Sequence, residues 1–206
     1  NTTATACSGA SFTVTPTNGS GNIVPSGTTY SWSAPVVTGG LTGGASASAQ
    51  STINGTLTNP TNTQQTATYT VTPTSGSCVG PTFTVVVTLN PKPVIANKTV
   101  TACSAAAFSV SPTNGVDIIP SGTTYSWTNS NTAIGLAASG TGNIAAFTAT
   151  NTTNANISGT VTVTPSANGC NGTPTTFVIT SRTIPTANDP ANQVVCNGDV
   201  VPATTL

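Results

Sequence analysis

The chain repeats itself, and the length of that repeat constrains its fold more than any other feature. The segment PSGTTYSW occupies Pro25–Trp32 and returns unchanged at Pro120–Trp127, 95 positions later. FTVTPTNG at Phe12–Gly19 returns as FSVSPTNG at Phe108–Gly115, 96 positions later, and TVTP at Thr70–Pro73 returns at Thr162–Pro165, 92 positions later. The cysteines keep step: Cys7 matches Cys103 and Cys78 matches Cys170, while Cys196 follows Cys103 by 93 positions, within VVCNG. A period of about 94 residues is too long for a solenoid, whose units run 20–50 residues. It is the size of an independent β-sandwich domain. The 206 residues therefore divide into a first repeat at 1–91, a second at 92–185, and the opening of a third at 186–206. The chain begins at Asn1 with no Met and no signal peptide, so it reads as a piece of a longer, processed polypeptide.

Inside each repeat the apolar residues alternate. Phe12-Thr-Val14, Tyr30-Ser-Trp32, Tyr69-Thr-Val71 and Phe83-Thr-Val85 all have period two, the mark of strands with one buried face. Threonine suits the outer face, because its β-branched carbon fits the pleat and its hydroxyl meets water. Between these runs lie NGSGNIVPSG, TGGLTGG, NPTNTQQ and PTSGSCVGP, which is turn chemistry. The first repeat is predicted to hold seven strands, near 2–6 and at 11–16, 28–34, 45–49, 51–58, 66–73 and 82–89. No segment has helical periodicity. The fold class is all-β, with tandem immunoglobulin-like antiparallel β-sandwich domains arranged as a rod. Trp32 and Trp127 fall on the third strand, where such sandwiches bury a tryptophan. They are expected in the core with Tyr30 and Tyr125, and the same holds for Tyr69, Phe83 and Phe177. The competing reading makes the tryptophans platforms for stacking sugars.

Composition excludes most chemistry. Charged residues are 3% of the chain, against about 25% in ordinary soluble proteins. The three basic residues, Lys92, Lys98 and Arg182, cannot neutralise a nucleic-acid backbone. There is no His, so neither a His-based triad nor a His metal site can form. Asp117, Asp189 and Asp199 are the only acidic side chains. They are too few and too scattered for a calcium cage, and no base is available to activate the many Ser and Thr hydroxyls. No catalytic, cofactor or metal site is expected, and no enzymatic activity. No run of about 20 apolar residues is present to span a membrane. Hydrophobic residues reach 36% at zero net charge, which speaks against disorder. The 46 Thr residues form Thr-x-Thr ladders, but a long period and twisted strands do not make the flat, short-period face of an ice-binding solenoid. The sequons at Asn1, Asn18, Asn54, Asn97, Asn151, Asn156 and Asn171 are a by-product of so much Asn and Thr.

The pattern TACSGASFTVTPTNG…IVPSGTTYSWSAPVVTGGLTGG…INGTLTNPTNTQQTATYTVTPTSGSCVGPTFTVVVTLNPKP resembles the PKD-like, immunoglobulin-like repeats of giant secreted surface proteins of Bacteroidetes. The resemblance spans the chain and is looser in the second repeat, where TNSNTAIGLAASGTGN replaces SAPVVTGGLTGG. It implies an extracellular, cell-surface setting of the gliding-motility or type 9 secretion kind. The implied role is that of a stiff stalk or shaft in an adhesin or filament. The alternative is a glycan- or surface-binding module. Expected partners are neighbouring repeats of the same polypeptide, in line, laterally or by strand exchange, with surface glycans under the alternative.

The five cysteines, Cys7, Cys78, Cys103, Cys170 and Cys196, contain no CxxC pair, so disulfides in an oxidising compartment are expected rather than zinc. Free reactive thiols are the disfavoured third option, because no neighbouring base or cation would activate them, and two pairings stand open. Cys7–Cys78 with Cys103–Cys170 is the simplest. It requires opposite ends of one sandwich to meet, whereas bonded Cα atoms lie within about 7 Å. The other is head-to-tail, Cys7 with Cys170, leaving Cys78 and Cys103 to outer neighbours. The junctions, Asn90-Pro91-Lys92-Pro93 and Arg182-Thr183-Ile184-Pro185, are short and proline-stiffened. The trailing residues 187–206 cannot bury a core alone and are expected either to continue as a third unit or to add a strand to a neighbour.

Overall fold

The computed structural model describes residues 1–19, 21–112, 115–186, 194–200 and 203. The first repeat runs β1 (Thr2–Cys7), β2 (Ser11–Val14), β3 (Thr29–Trp32), β4 (Val36–Val37), β5 (Thr42–Gly43), β6 (Ala47–Gln50), β7 (Ile53–Thr58), β8 (Gln65–Ser75), β9 (Cys78–Val79) and β10 (Phe83–Asn90). The second runs β11 (Lys98–Cys103), β12 (Ala107–Val110), β13 (Thr124–Asn129), β14 (Ser139–Thr141), β15 (Ile144–Thr148), β16 (Ile157–Ala167), β17 (Cys170–Asn171) and β18 (Thr175–Arg182). Each repeat is a sandwich. In the first, a sheet ordered β1-β10-β8-β3-β6 faces a smaller one ordered β2-β7-β5; in the second, β11-β18-β16-β13-β14 faces β12-β15.

The alternation in the sequence becomes the core. On β10, Val85, Val87 and Leu89 are fully buried while the intervening residues are partly exposed. They meet Tyr69 and Val71 from β8, and Phe12, Ile53 and Leu57 from the smaller sheet. The rings of Trp32 and Tyr69 meet edge to face at 6.5 Å, a favoured aromatic geometry. Trp32 is 6% exposed, Trp127 9% and Tyr30 3%. Tyr125 and Phe83 are half-buried at the margins of their cores, and Phe177 is buried.

The structure departs from the expected elements between the third strand and the next core strand. In the first repeat Gly39, Gly40, Gly43 and Gly44 all take positive φ, which breaks this stretch into the short arms β4 and β5 and moves the edge strand to Ala47–Gln50. In the second repeat the corresponding stretch contains a one-turn 3-10 helix, Thr132–Ile134. Asn131 caps it by accepting a hydrogen bond from the Ala133 amide at 3.1 Å, and Gly135 ends it at φ 96°. The seven expected strands thus omit the two-residue arms, and β9 pairs with β8 where the sequence suggested a loop.

One pairing decides what lies at each end of a repeat. β1 runs parallel to β10, with Cys7 opposite Asn90; likewise β11 runs parallel to β18, with Cys103 opposite Arg182. The first cysteine of each repeat therefore sits at the lower end, where the chain leaves. The second cysteine lies in the β8–β9 or β16–β17 hairpin, at the upper end where the last strand begins. The eight residues of β10 separate the two ends by about 25 Å at strand rise.

A buried asparagine closes the lower end of both sandwiches. Asn59 is 2% exposed. Its Oδ1 accepts from the Thr61 amide at 2.9 Å and the Thr61 hydroxyl at 2.8 Å, and its Nδ2 donates to the carbonyls of Thr63 at 2.8 Å and Leu89 at 3.2 Å. The Ser8 hydroxyl accepts from its backbone amide at 2.9 Å. Asn151 repeats the arrangement with the Thr153 amide and hydroxyl, the carbonyls of Ala155 and Ser181, and Ser104. The sequon at Asn151 is therefore a structural Asx turn whose amide faces inward. Beside it, Ala105 sits at φ 66° where the first repeat has Gly9 at φ 79°. A β-carbon in the left-handed region is strained, so Ala105→Gly is expected to raise the stability of the second repeat by about 0.5–1 kcal/mol. The check is the urea midpoint of that repeat, and an unchanged or lowered midpoint would count against the strain.

Candidate functional site

The lower end of the first repeat meets the upper end of the second, and the functional geometry concentrates at this joint. Cys7 and Cys170 are joined by a disulfide with Cα atoms 5.6 Å apart. Of the two pairings the sequence left open, the structure therefore contains the one between repeats. Cys78 and Cys103 are exposed free thiols, as is Cys196. The end-to-end separation within each sandwich rules out Cys7–Cys78 and Cys103–Cys170, because a disulfide requires Cα atoms within about 7 Å.

The disulfide is one of several fastenings. The β16–β17 hairpin turns through Asn168 and Gly169, both at positive φ (51° and 76°), as a two-residue hairpin turn requires. This turn presents the Asn168 carbonyl to the Asn90 side-chain amide at 3.2 Å, while Asn90 Oδ1 accepts from Gln64 Nε2 at 2.7 Å. Pro91 and Pro93 of the linker are buried. A β-carbon at Gly172 would lie 2.5 Å from the Pro93 carbonyl oxygen, so glycine permits the close approach of hairpin and linker.

The linker is further sewn onto the second repeat. Val94 and Ile118 exchange backbone hydrogen bonds at 3.0 and 2.8 Å, and Ile95 enters the second core. The Asp117 carboxylate, fully buried, accepts from the Ala96 amide at 2.9 Å and lies 3.5 Å from the Lys98 ammonium. Lys98 also donates to the Ser111 carbonyl at 2.8 Å and stands 5.9 Å from the centre of the Phe177 ring, so the pair is hydrogen-bonded on both sides, as a desolvated charge requires. Burial first, and the Asp117 charge second, push the Tyr125 phenol above its usual pKa. Asn97 Oδ1 accepts from the Thr175 hydroxyl at 2.7 Å and the Thr176 amide at 3.0 Å, fixing the start of β11 to β18. The sequence marked the linker as stiff through its prolines; it did not show Asp117 and Asn97 as its anchors.

Other candidates offer less. An open groove of about 710 Å³ on the first repeat is lined by Trp32, Gly44, Ala45, Gln50, Asn54 and Thr56, among others, with no charged side chain. Trp32 is 6% exposed there, its indole N–H donating to the Ala45 carbonyl at 3.2 Å, so little of its ring surface is open to a ligand. Among the described residues no three His, Cys, Asp or Glu side chains gather as a metal site. No helix among them is long and apolar enough to cross a membrane. Asp199 accepts from the Cys196 amide at 3.2 Å. Asp189, and most of the trailing segment expected to add a strand to a neighbour, lie outside the described residues.

No curated protein matches the chain in sequence. Solved structures that resemble it include the chicken CNTN1 FN1-FN3 domains, at 15% identity and TM-score 0.36, covering 88% of this chain and 64% of that one. The human Mucin-like Protocadherin EC1-2 structure aligns at 10% identity and TM-score 0.31 over 89% of this chain and 96% of its own. Mouse Cadherin-23 EC22-24 aligns at 12% identity and TM-score 0.34 over 89% and 63%. The chain thus spans somewhat less than two thirds of the chicken and mouse structures. The family model of the PKD-like domain matches twice, at residues 4–93 and 100–185, one match to each sandwich. The chain belongs to the PKD-like domain family, which it carries as two tandem copies.

Proposed function

We propose that these repeats form a stiff segment of a stalk or shaft in an extracellular surface protein, an adhesin or a filament. The observation that carries this reading is the joint, where a disulfide and a docked linker act together. Two sandwiches meant to move independently need only a tether; here the linker prolines are buried and its polar groups are bonded to the second repeat. A disulfide also favours an oxidising compartment outside the cytosol. The resemblance of the repeat sequence to giant Bacteroidetes surface proteins supports adhesion or gliding motility at the cell surface as the setting. The glycan-binding alternative lacks exposed aromatic side chains, since both tryptophans are buried, and sugar sites rely on such surfaces with convergent polar groups.

Electron microscopy of the native protein on cells, or shed from them, tests the proposal. The expected image is a straight fibre with an axial repeat of about 35–40 Å, the length of the eleven-residue strands β8 and β16 at strand rise. Compact or kinked particles without a regular repeat would overturn it.

A further inference from the structure

The two exposed thiols at the far ends of this pair of repeats occupy the same places as the two that are bonded in the middle. At the upper end of the first repeat, Cys78 pairs with Ser75 across a two-residue turn, as Cys170 pairs with Ala167. The hairpins close identically below: the Gly80 amide donates to Pro73 at 2.9 Å and the Gly172 amide to Pro165 at 2.8 Å. At the lower end of the second repeat, Cys103 stands opposite Arg182 as Cys7 stands opposite Asn90. The following serine amide bonds the facing carbonyl in both, Ser8 to Asn90 at 2.9 Å and Ser104 to Arg182 at 2.8 Å. The turn after Cys7, closed by Ala10 N–H to the Cys7 carbonyl at 2.9 Å, recurs after Cys103 at 3.1 Å and again after Cys196, closed by Asp199 at 3.1 Å. Bonded and free cysteines thus share backbone geometry, and what distinguishes them is whether a second repeat faces them.

We propose that Cys78 and Cys103 are docking sites for further PKD-like repeats, each taking the complementary cysteine of its neighbour as Cys7 takes Cys170. The upper face around Cys78 accepts the lower end of another repeat, and the lower face around Cys103 accepts the hairpin of another. This deepens the stalk reading and rests on it. The covalent step needs an oxidant, a low-molecular-weight disulfide. The Cys103 thiolate attacks one sulfur of glutathione disulfide and releases one glutathione thiolate. The Cys78 thiolate then attacks the Cys103 sulfur and releases the second glutathione. Two protein thiols become one disulfide, and one glutathione disulfide becomes two glutathione thiols.

Two variants of the full chain test the pairing while leaving Cys7–Cys170 in place. One retains only Cys78 free (Cys103→Ser, Cys196→Ser), and the other retains only Cys103 free (Cys78→Ser, Cys196→Ser). They are mixed in a glutathione redox buffer and the disulfide-linked dimers are mapped by mass spectrometry. The expected result is the Cys78–Cys103 heterodimer in about tenfold excess over the two homodimers, which corresponds to a preference of about 1.4 kcal/mol for the complementary faces. A statistical mixture of the three dimers would overturn the proposal, as would glutathione adducts with no dimer. Either failure would leave the fibre test untouched, and irregular particles in the microscope would count against the stalk reading whatever the thiols do.

Discussion

Pulled by its two ends, the oxidised chain is expected to lengthen by less than about 10 nm as its repeats give way, whereas the reduced chain lengthens by roughly 55 nm more. The difference follows from where the disulfide lies. Cys7 and Cys170 are separated by 163 positions, and that stretch contains nearly all of both sandwiches. Tension entering at Asn1 reaches Cys7, crosses the sulfur bridge to Cys170, and leaves along β17 and β18. Once β1 and β18 are stripped from β10, β16 and β11, the closed stretch carries none of it. With the bridge intact, only the short segments outside the loop can be drawn straight; once it is reduced, the whole loop is released at about 3.5 Å per residue. Single-molecule force spectroscopy with and without a thiol reductant reads this directly. A full-length extension from the oxidised chain would show that the bridge does not span the joint. A spacer built to absorb shock would release the full length of its domains one by one, and this one withholds the length between Cys7 and Cys170.

Replacing Asn151 by alanine is expected to lower the stability of the second repeat by about 3 kcal/mol, and Asn59→Ala to do the same for the first. Neither loss is a matter of one hydrogen bond. The Asn151 side chain accepts from the Thr153 amide and hydroxyl and donates to the carbonyls of Ala155 and Ser181, the last on a residue with no solvent exposure. Alanine leaves the buried Ser181 carbonyl without this donor, at about 1–3 kcal/mol, and also removes the bonds that hold the partly exposed turn at Thr153 and Ala155. For a domain of this size the corresponding fall in Tm is roughly 15 °C. Thermal unfolding followed by circular dichroism measures it, and a loss below about 1 kcal/mol would show that water replaces the side chain in the turn. Because each asparagine belongs to one repeat, the two substitutions are expected to lower separate transitions.

The strands and the tandem plan were legible because their signals are local and repeated. Phe12-Thr-Val14 and Tyr30-Ser-Trp32 each announce a half-buried strand, and a second copy of each arrives 95 or 96 positions on. The cysteines were legible only as alternatives. Their connectivity depends on β1 running parallel to β10, which places Cys7 at the lower end, and no periodicity reveals a parallel neighbour 80-odd residues away. Asn59 and Asn151 stayed hidden among the many turn-forming residues. Their signal was present, an Asn-x-Thr triplet recurring at an offset of 92, the same as that of TVTP, yet in so Thr-rich a chain it looked like chance. Asp117 read as one of three scattered acids. Its role emerges only when the fold brings the Ala96 amide and Lys98 to it, and the first repeat, with Asn22 at the matching place, has no copy to draw attention to it.

The sulfur bridge makes a ring of the polypeptide, and a ring survives one cut. A protease that severs the backbone anywhere between Ser8 and Gly169, in a glycine-rich loop or in the linker itself, opens the ring without parting the molecule, because the fragments stay joined through Cys7 and Cys170. Release of a piece takes two cuts within the same ring. For a chain whose many exposed turns cannot all be shielded from the enzymes of its surroundings, closure of this kind turns a lethal break into a tolerable one.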